Sequence, residues 1–282
     1  MNTTPQTGTV HLVGAGPGDP ELLTMKARRL LDEADVILHD SLVGDAIVDT
    51  LPTSPTVVHV GKRPNGERTP QVEINARMVR EARAGNDVVR LKGGDPTVFG
   101  RGGEEAEHLA AHGVPFDVVP GVTSAVAAGA GVGIPGTHRE HASTLTIVTG
   151  HEDPSKEESA LDWESLAATV DAGGTLVVLM GVGRLPDNVA ALTSQGLAPD
   201  TPVALIERAT LPEERVVTGT LATITEVATD HEVEPPAVTV VGDVVSVRDT
   251  VKHSLGGTDG AVVPHSSPPY SERREAETEV ER

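Results

Sequence analysis

The stretch DVVRLKGGDPTVFGRGGEEAEHLAAHG, residues 87–113, decides the fold class. Val88, Val89 and Leu91 make a short apolar run of the kind a buried strand needs. A loop with five glycines follows, and EEAEHLAAHG then reads as a helix. Strand, glycine loop and helix in that order are half of a βαβ unit, whose strands run parallel. Lys92 and Arg101 stand on either side of the loop in a chain that has only five lysines.

The same alternation extends in both directions. VHLV (10–13) reads as a strand, GAGPGDP as a turn, and ELLTMKARRLLDEA (21–34) as a helix with Asp19 as N-cap and Pro20 at its first position. VIL (36–38) and TVVHV (56–60) read as strands, and QVEINARMVREARAG (71–85) as a helix stopped by Gly85. PFDVVPG reads as a fifth strand. Beyond Pro120 come a small-residue helix, TSAVAAGAGVG, and strands at 144–150, 175–181, 202–210 and 237–245, with helices at LPDNVAALTSQG and ATITEVAT. The pattern predicts a mainly parallel α/β protein. At about 150 residues per domain, 282 residues suggest two: 8–119 and 120–248, then a polar, disordered tail over 249–282.

Composition narrows the function. The 22 basic and 42 acidic residues leave a net charge of −20, which disfavours nucleic acid as a partner. The acids are dispersed, as in a solvated surface suited to a salt-rich (halophilic) cytoplasm; an acidic interaction surface is the competing reading. No apolar run is long enough for a membrane span, and MNTTPQTG has no signal-peptide character, so a cytoplasmic location is expected. With no cysteine, disulfides, thiolate metal sites and cysteine nucleophiles are excluded.

The motifs favour a small-molecule site at strand ends. VGAGPGD fails the dinucleotide fingerprint, because position 19 is aspartate where the third glycine belongs. Asp19 would compete with a pyrophosphate for the same amides, and Pro17 removes a donor. An uncharged or cationic ligand suits such a turn better. In GGDP, Gly93 and Gly94 permit close backbone approach, while Asp95 either holds a ligand or caps the next turn. Lys62, Arg63, Lys92, Arg101 and Arg139 are the scarce cations that an anionic ligand would need. His138 and His141 are three apart without a carboxylate or cysteine set to complete a metal site, and no metal is expected.

Taken in order, the segments at 10–27, 34–43 (ADVILHDSLV), 60–63 (VGKR), 70–79, 88–107, 115–125, 133–140 (GIPGTHRE), 148–151, 179–181, 201–221 and 235–245 resemble the uroporphyrinogen-III C-methyltransferases of the tetrapyrrole methylase superfamily. The similarity covers about residues 8–247. The resemblance implies two α/β domains with the active site in the cleft between them, a homodimer, and methyl transfer from S-adenosylmethionine (SAM) to uroporphyrinogen III at C2 and C7. Precorrin-1, precorrin-2 and S-adenosylhomocysteine are the implied products, at the branch to sirohaem and cobalamin.

By the same resemblance, Asp40 matches a proton acceptor and Lys62 a proton donor. Pro17, Gly93, Gly94, Asp95, Val98, Thr123, Ser124, Met180 and Ala209 match SAM contacts, while Arg63, Arg101 and Arg139 are candidates for the substrate carboxylates. His39, Thr97, Gly136 and Leu179 depart from the family pattern, three of them by removing an aromatic ring. The resemblance includes no fused sirohaem synthase domain, so oxidation and metal insertion are expected elsewhere. A methylase for a later corrinoid, and from another class a nucleotide-binding oxidoreductase or a non-catalytic binding module, are the alternatives.

Overall fold

The computed structural model describes residues 7–61, 69–151 and 161–254. They group into two compact units, the first ending at Thr123 and the second beginning at Ser124. No helix among the described residues is long and apolar enough to cross a membrane.

In the first unit the strands are β1 (Val10–Gly14), β2 (Val36–His39), β3 (Thr56–His59), β4 (Val88–Lys92) and β5 (Phe116–Val119). The helices are α1 (Met25–Glu33), α2 (Asp45–Val48), α3 (Gln71–Arg83) and α4 (Gly102–Ala111). The sheet order is β3-β2-β4-β1-β5, and every pair is parallel. Neighbouring residues in a strand enter opposite cores. Val10 and Leu12 pack on one face with Met78 of α3, while Val13 packs on the other with Leu31 of α1. Side chains alternate along a strand, so two covered faces require strands apolar at nearly every position.

The helix expected from residue 21 begins later. Pro20–Leu22 is a single 3-10 turn, with the Glu21 amide donating to Asp19 Oδ1 at 2.8 Å. Helix α1 starts at Met25, where the Ala27 amide donates to Thr24 Oγ1 at 3.1 Å. Both caps obey the same rule, and the threonine caps the longer helix.

In the second unit the strands are β6 (Leu145–Thr149), β7 (Thr175–Leu179), β8 (Pro202–Glu207), β9 (Arg215–Thr220) and β10 (Ala237–Val241). Its helices are α5 (Ser124–Gly131), α6 (Trp163–Asp171), α7 (Leu185–Ser194), α8 (Ile224–Asp230) and α9 (Val245–Ser254). The sheet order is β6-β7-β10-β8-β9, and only β6–β7 is parallel. The expectation of mainly parallel pairing therefore fails here. Strand β9 was absent from the sequence reading. It forms a hairpin with β8, and the register places Arg215 opposite Glu207. The two side chains pair at 2.5 Å, with Glu207 buried. Helix α9 continues to Ser254, past the expected start of the tail at 249; residues 255–282 lie outside the described residues.

Candidate active site

Because the first sheet is wholly parallel, the carboxyl ends of its strands share one edge. The register sets Gly14 beside Lys92, Leu91 beside His39, and His39 beside His59. The turns at 15–18 and 40–42, the loop at 93–101 and the segment at 120–123 all leave from that edge. Pro17, Asp40, Gly93, Gly94, Asp95, Val98 and Thr123 are therefore brought to one side of one sheet.

The floor of this edge is backbone. A Cβ on Gly121 would lie 2.3 Å from the Gly94 carbonyl oxygen and 2.8 Å from Gly14 Cα. Gly16 and Gly94 exchange amide-to-carbonyl bonds of 3.1 and 2.7 Å, both at positive φ. Close approach and left-handed backbone both call for glycine here. A Cβ on Gly93 would meet Leu42 Cβ at 2.8 Å, so the Asp40 turn rests directly on the glycine loop.

Asp95 staples the floor together. Thr97 donates to its Oδ1 through both amide (2.8 Å) and hydroxyl (2.6 Å), and the Gly121 amide donates to its Oδ2 at 3.0 Å. The capping expected of Asp95 is thus formed. Thr97, one of the departures, contributes the hydroxyl to that cap.

Behind the floor is a chain of buried charges. Arg90, inside β4, is 3% exposed. Its Nη2 donates to Asp40 Oδ2 at 3.2 Å, its Nε to Glu105 Oε1 at 3.2 Å, and its Nη1 to the carbonyls of Leu91 (3.1 Å) and Leu38 (3.4 Å). Lys92 Nζ lies 3.1 Å from each oxygen of Glu105, whose side chain is fully buried. Gln71 Nε2 donates to the same carboxylate at 3.0 Å. Two acids, Asp40 and Glu105, face two bases, so no charge within this group is left uncompensated. Burial, then the neighbouring Arg90 charge, holds the Lys92 ammonium below its ordinary pKa. Lys92, one of the cations expected to be available to an anionic ligand, is instead buried against Glu105, and neither Arg90 nor Glu105 stood out in the sequence. A lone arginine within VVRL was the available signal, since a charge in a strand covered on both faces needs a partner.

Asp40 itself is held from both sides: Arg90 on Oδ2 and the Leu42 amide on Oδ1 at 3.0 Å. Beside it, His39 is buried and its ring stands edge-on to His59 at 5.2 Å. Burial keeps the His39 imidazole below its ordinary pKa, reinforced by His59 and opposed by its bond to the Asp40 carbonyl. Lys62 and Arg63 lie outside the described residues.

Arg101 is exposed and begins α4 at φ 60°. Glu104 holds its guanidinium through bonds of 2.9 and 2.6 Å, and this pairing raises its pKa. An anion at Arg101 would have to share it with Glu104.

In the second unit, β7 and β8 both run antiparallel to β10, so their carboxyl ends share an edge. Leu179 and Glu207 pair with Val238 and Ala237. Met180 follows β7 directly, and Ala209 lies two residues past the end of β8. Met180 is half exposed with φ 56°, and Ala209 lies between Arg208 (φ 49°) and Thr210 (φ 68°). With Phe99 and Arg101, five of the six described non-glycine residues at positive φ adjoin candidate positions. Such backbone is uncommon and collects where a loop is held for a purpose. Ser124 opens α5.

Arg139 is exposed in the turn closed by the His138–Ala142 bridge. That turn also brings Glu140 to the two histidines, the candidate ligand atoms all lying within 4.8 Å of one another. The carboxylate missing from the sequence reading is thus present. It is exposed, however, and its own amide donates to His138 Nδ1 at 3.2 Å.

A parallel sheet with glycine loops at its strand ends, joined in sequence to a mixed sheet, defines an α/β small-molecule enzyme architecture. The chain belongs to the tetrapyrrole (corrin/porphyrin) methylases, whose family model matches residues 9–225. It is 56% identical over 252 residues, 89% of this chain and 98% of the relative, to the S-adenosyl-L-methionine-dependent uroporphyrinogen III methyltransferase of Methanosarcina barkeri. It is 49% identical to the sirohaem synthase of Pseudomonas fluorescens over 86% of this chain, which spans only about half (51%) of that longer protein. Among solved structures, uroporphyrin-III C-methyltransferase from Thermus thermophilus matches 85% of this chain and all of its own, with 46% identity and a TM-score of 0.73. A second Thermus structure, complexed with S-adenosylhomocysteine, has a TM-score of 0.72 at 46% identity, covering 85% of this chain and 94% of its own.

Proposed function

We propose that this chain transfers methyl groups from SAM to C2 and C7 of uroporphyrinogen III, giving precorrin-2 by way of precorrin-1. The observation that carries the reading is the Asp40 carboxylate, fixed by Arg90 and the Leu42 amide and resting on Gly93 at the edge of the first sheet. The near full-length likeness to the Methanosarcina enzyme supports the choice of substrate.

The residues fit SAM better than a nucleotide. SAM supplies an electrophilic methyl on a sulfonium cation and carries no phosphate. The first turn has Asp19 on the Glu21 amide and no N–H at Pro17, so it is poor for pyrophosphate and tolerant of a cation. Gly93, Gly94, Asp95, Val98, Pro17 and Thr123, with Ser124, Met180 and Ala209 of the second unit, are assigned to SAM.

In each transfer a carbon–sulfur bond of SAM breaks, its electron pair stays on sulfur, and a pyrrole carbon forms the new carbon–carbon bond. S-adenosylhomocysteine leaves. The substituted ring becomes cationic and must lose a proton. An electron-rich pyrrole needs little activation, so the protein's tasks are alignment, with reacting atoms about 3–3.5 Å apart, and management of that charge. Asp40 accepts the proton or stabilises the cation until it leaves. Lys62 is assigned the proton-donor role that the family resemblance gives it, and Arg63, Arg101 and Arg139 meet substrate carboxylates. None of these steps uses a metal. A cytoplasmic homodimer serving sirohaem or cobalamin synthesis completes the proposal.

The test is direct. Purified protein is incubated anaerobically with SAM and enzymatically made uroporphyrinogen III in high salt, and the products are weighed. A gain of two methyl groups is expected. Folded, SAM-binding protein that adds none overturns the reading, and methylation only of a later corrinoid transfers it to that substrate.

A further inference from the structure

We infer that Arg90 is a positioning residue for Asp40, and that Glu105 positions Arg90 in turn. The inference rests on the proposed function, in which Asp40 meets the reacting ring. Each Asp40 oxygen has one fixed donor, Leu42 N–H or Arg90 Nη2. A carboxylate has about four lone-pair sites, so each oxygen keeps acceptor capacity. The Asp40 side chain is 23% exposed, whereas Arg90 is 3% exposed and Glu105 fully buried. The arrangement therefore presents one oriented anion at the sheet edge and keeps its supports dry.

The support runs through three elements. Arg90 comes from β4, Glu105 from α4, and Gln71 of α3 bonds both Glu105 (3.0 Å) and Asn75 (2.9 Å). The planar guanidinium reaches Asp40, Glu105 and two carbonyls at once. An ammonium at this position carries the same charge but cannot span that set. Charge alone would make lysine an adequate substitute; geometry makes it a poor one.

The experiment is a double-mutant cycle on the full chain, with kcat and KM measured for SAM and uroporphyrinogen III. Arg90→Lys is expected to lower kcat about 10- to 100-fold, the scale of a misplaced catalytic group, with KM for SAM within about twofold. In an Asp40→Asn background the same substitution is expected to cost little more, because the group it positions is already disabled. Equal losses in both backgrounds, or an unchanged kcat, overturn the inference. Should Arg90→Lys fail to fold, Glu105→Gln is read in the same cycle, with a smaller and equally non-additive loss expected. An active wild type with additive losses rejects the positioning role alone. A wild type that binds SAM without methylating uroporphyrinogen III rejects the function and this inference together.

Discussion

Asp95 ties two strand-end loops together with a single carboxylate, one oxygen on Thr97 and the other on Gly121. In Asp95→Asn one oxygen becomes an NH2 group, which must face an existing N–H or O–H donor. A loss of about 1–3 kcal/mol in denaturant unfolding is expected, as for a buried donor left unmatched. SAM affinity, read by calorimetry, should fall with it; unchanged stability would remove the stapling role. His39 sets a second residue-level prediction. Its folded pKa is lowered, so below about pH 6.5 the unfolded chain binds more protons at this site than the folded one. Stability therefore rises with pH through this window and is lost as pH falls from 6.5 toward the folded value. Asp40, His59 and Arg90 act on the ring. His39→Tyr removes the titration, so the melting temperature should vary less steeply with pH just below 6.5.

At the scale of elements, the glycine floor depends on three strand ends touching through backbone alone. Gly121→Ala places a methyl 2.3 Å from the Gly94 carbonyl and forces β4 and β5 loops apart. About 1–3 kcal/mol of destabilisation is expected, the usual cost of overpacking, together with weaker SAM binding. A variant as stable as wild type would show that the loops yield cheaply. Helix α1 makes a complementary case. Thr24, not Asp19, caps it, so Thr24→Ala should cost about 1 kcal/mol in the same measurement. Asp19 was legible as a cap because Asp-Pro-Glu is a strong local start signal. What local signals could not show was that the helical turn would stop at Leu22 and restart at Met25.

Across the whole molecule, the net charge of −20 is a self-repulsion that salt relieves. The screening length falls from about 10 Å at 0.1 M to about 3 Å at 1 M. The melting temperature should rise with sodium chloride over that range. A flat or falling curve counts against adaptation to a salt-rich interior. The Arg90–Glu105–Lys92 group is buried and, together with Asp40, balances two bases against two acids, so salt should leave it largely untouched, and the gain should come from the exposed acids.

The amino-acid sequence by itself determined the first unit's strand order along the chain, its parallel class, the glycine loops and the family. These depend on short apolar runs, on glycine where backbones touch, and on motifs contiguous in the chain. Only the tertiary structure decided the rest. The second sheet is mostly antiparallel because β9 folds back on β8, a pairing set by long-range register and not by local pattern. Asp95 is a staple because Gly121, 26 residues away, turns its amide toward it. Arg90 meets Asp40 and Glu105 across 50 and 15 residues, contacts that exist only once β2, β4 and α4 have packed. A sequence shows which residues are available for chemistry, whereas a charge acquires its partner, and with it a role, only when the chain has excluded water around both.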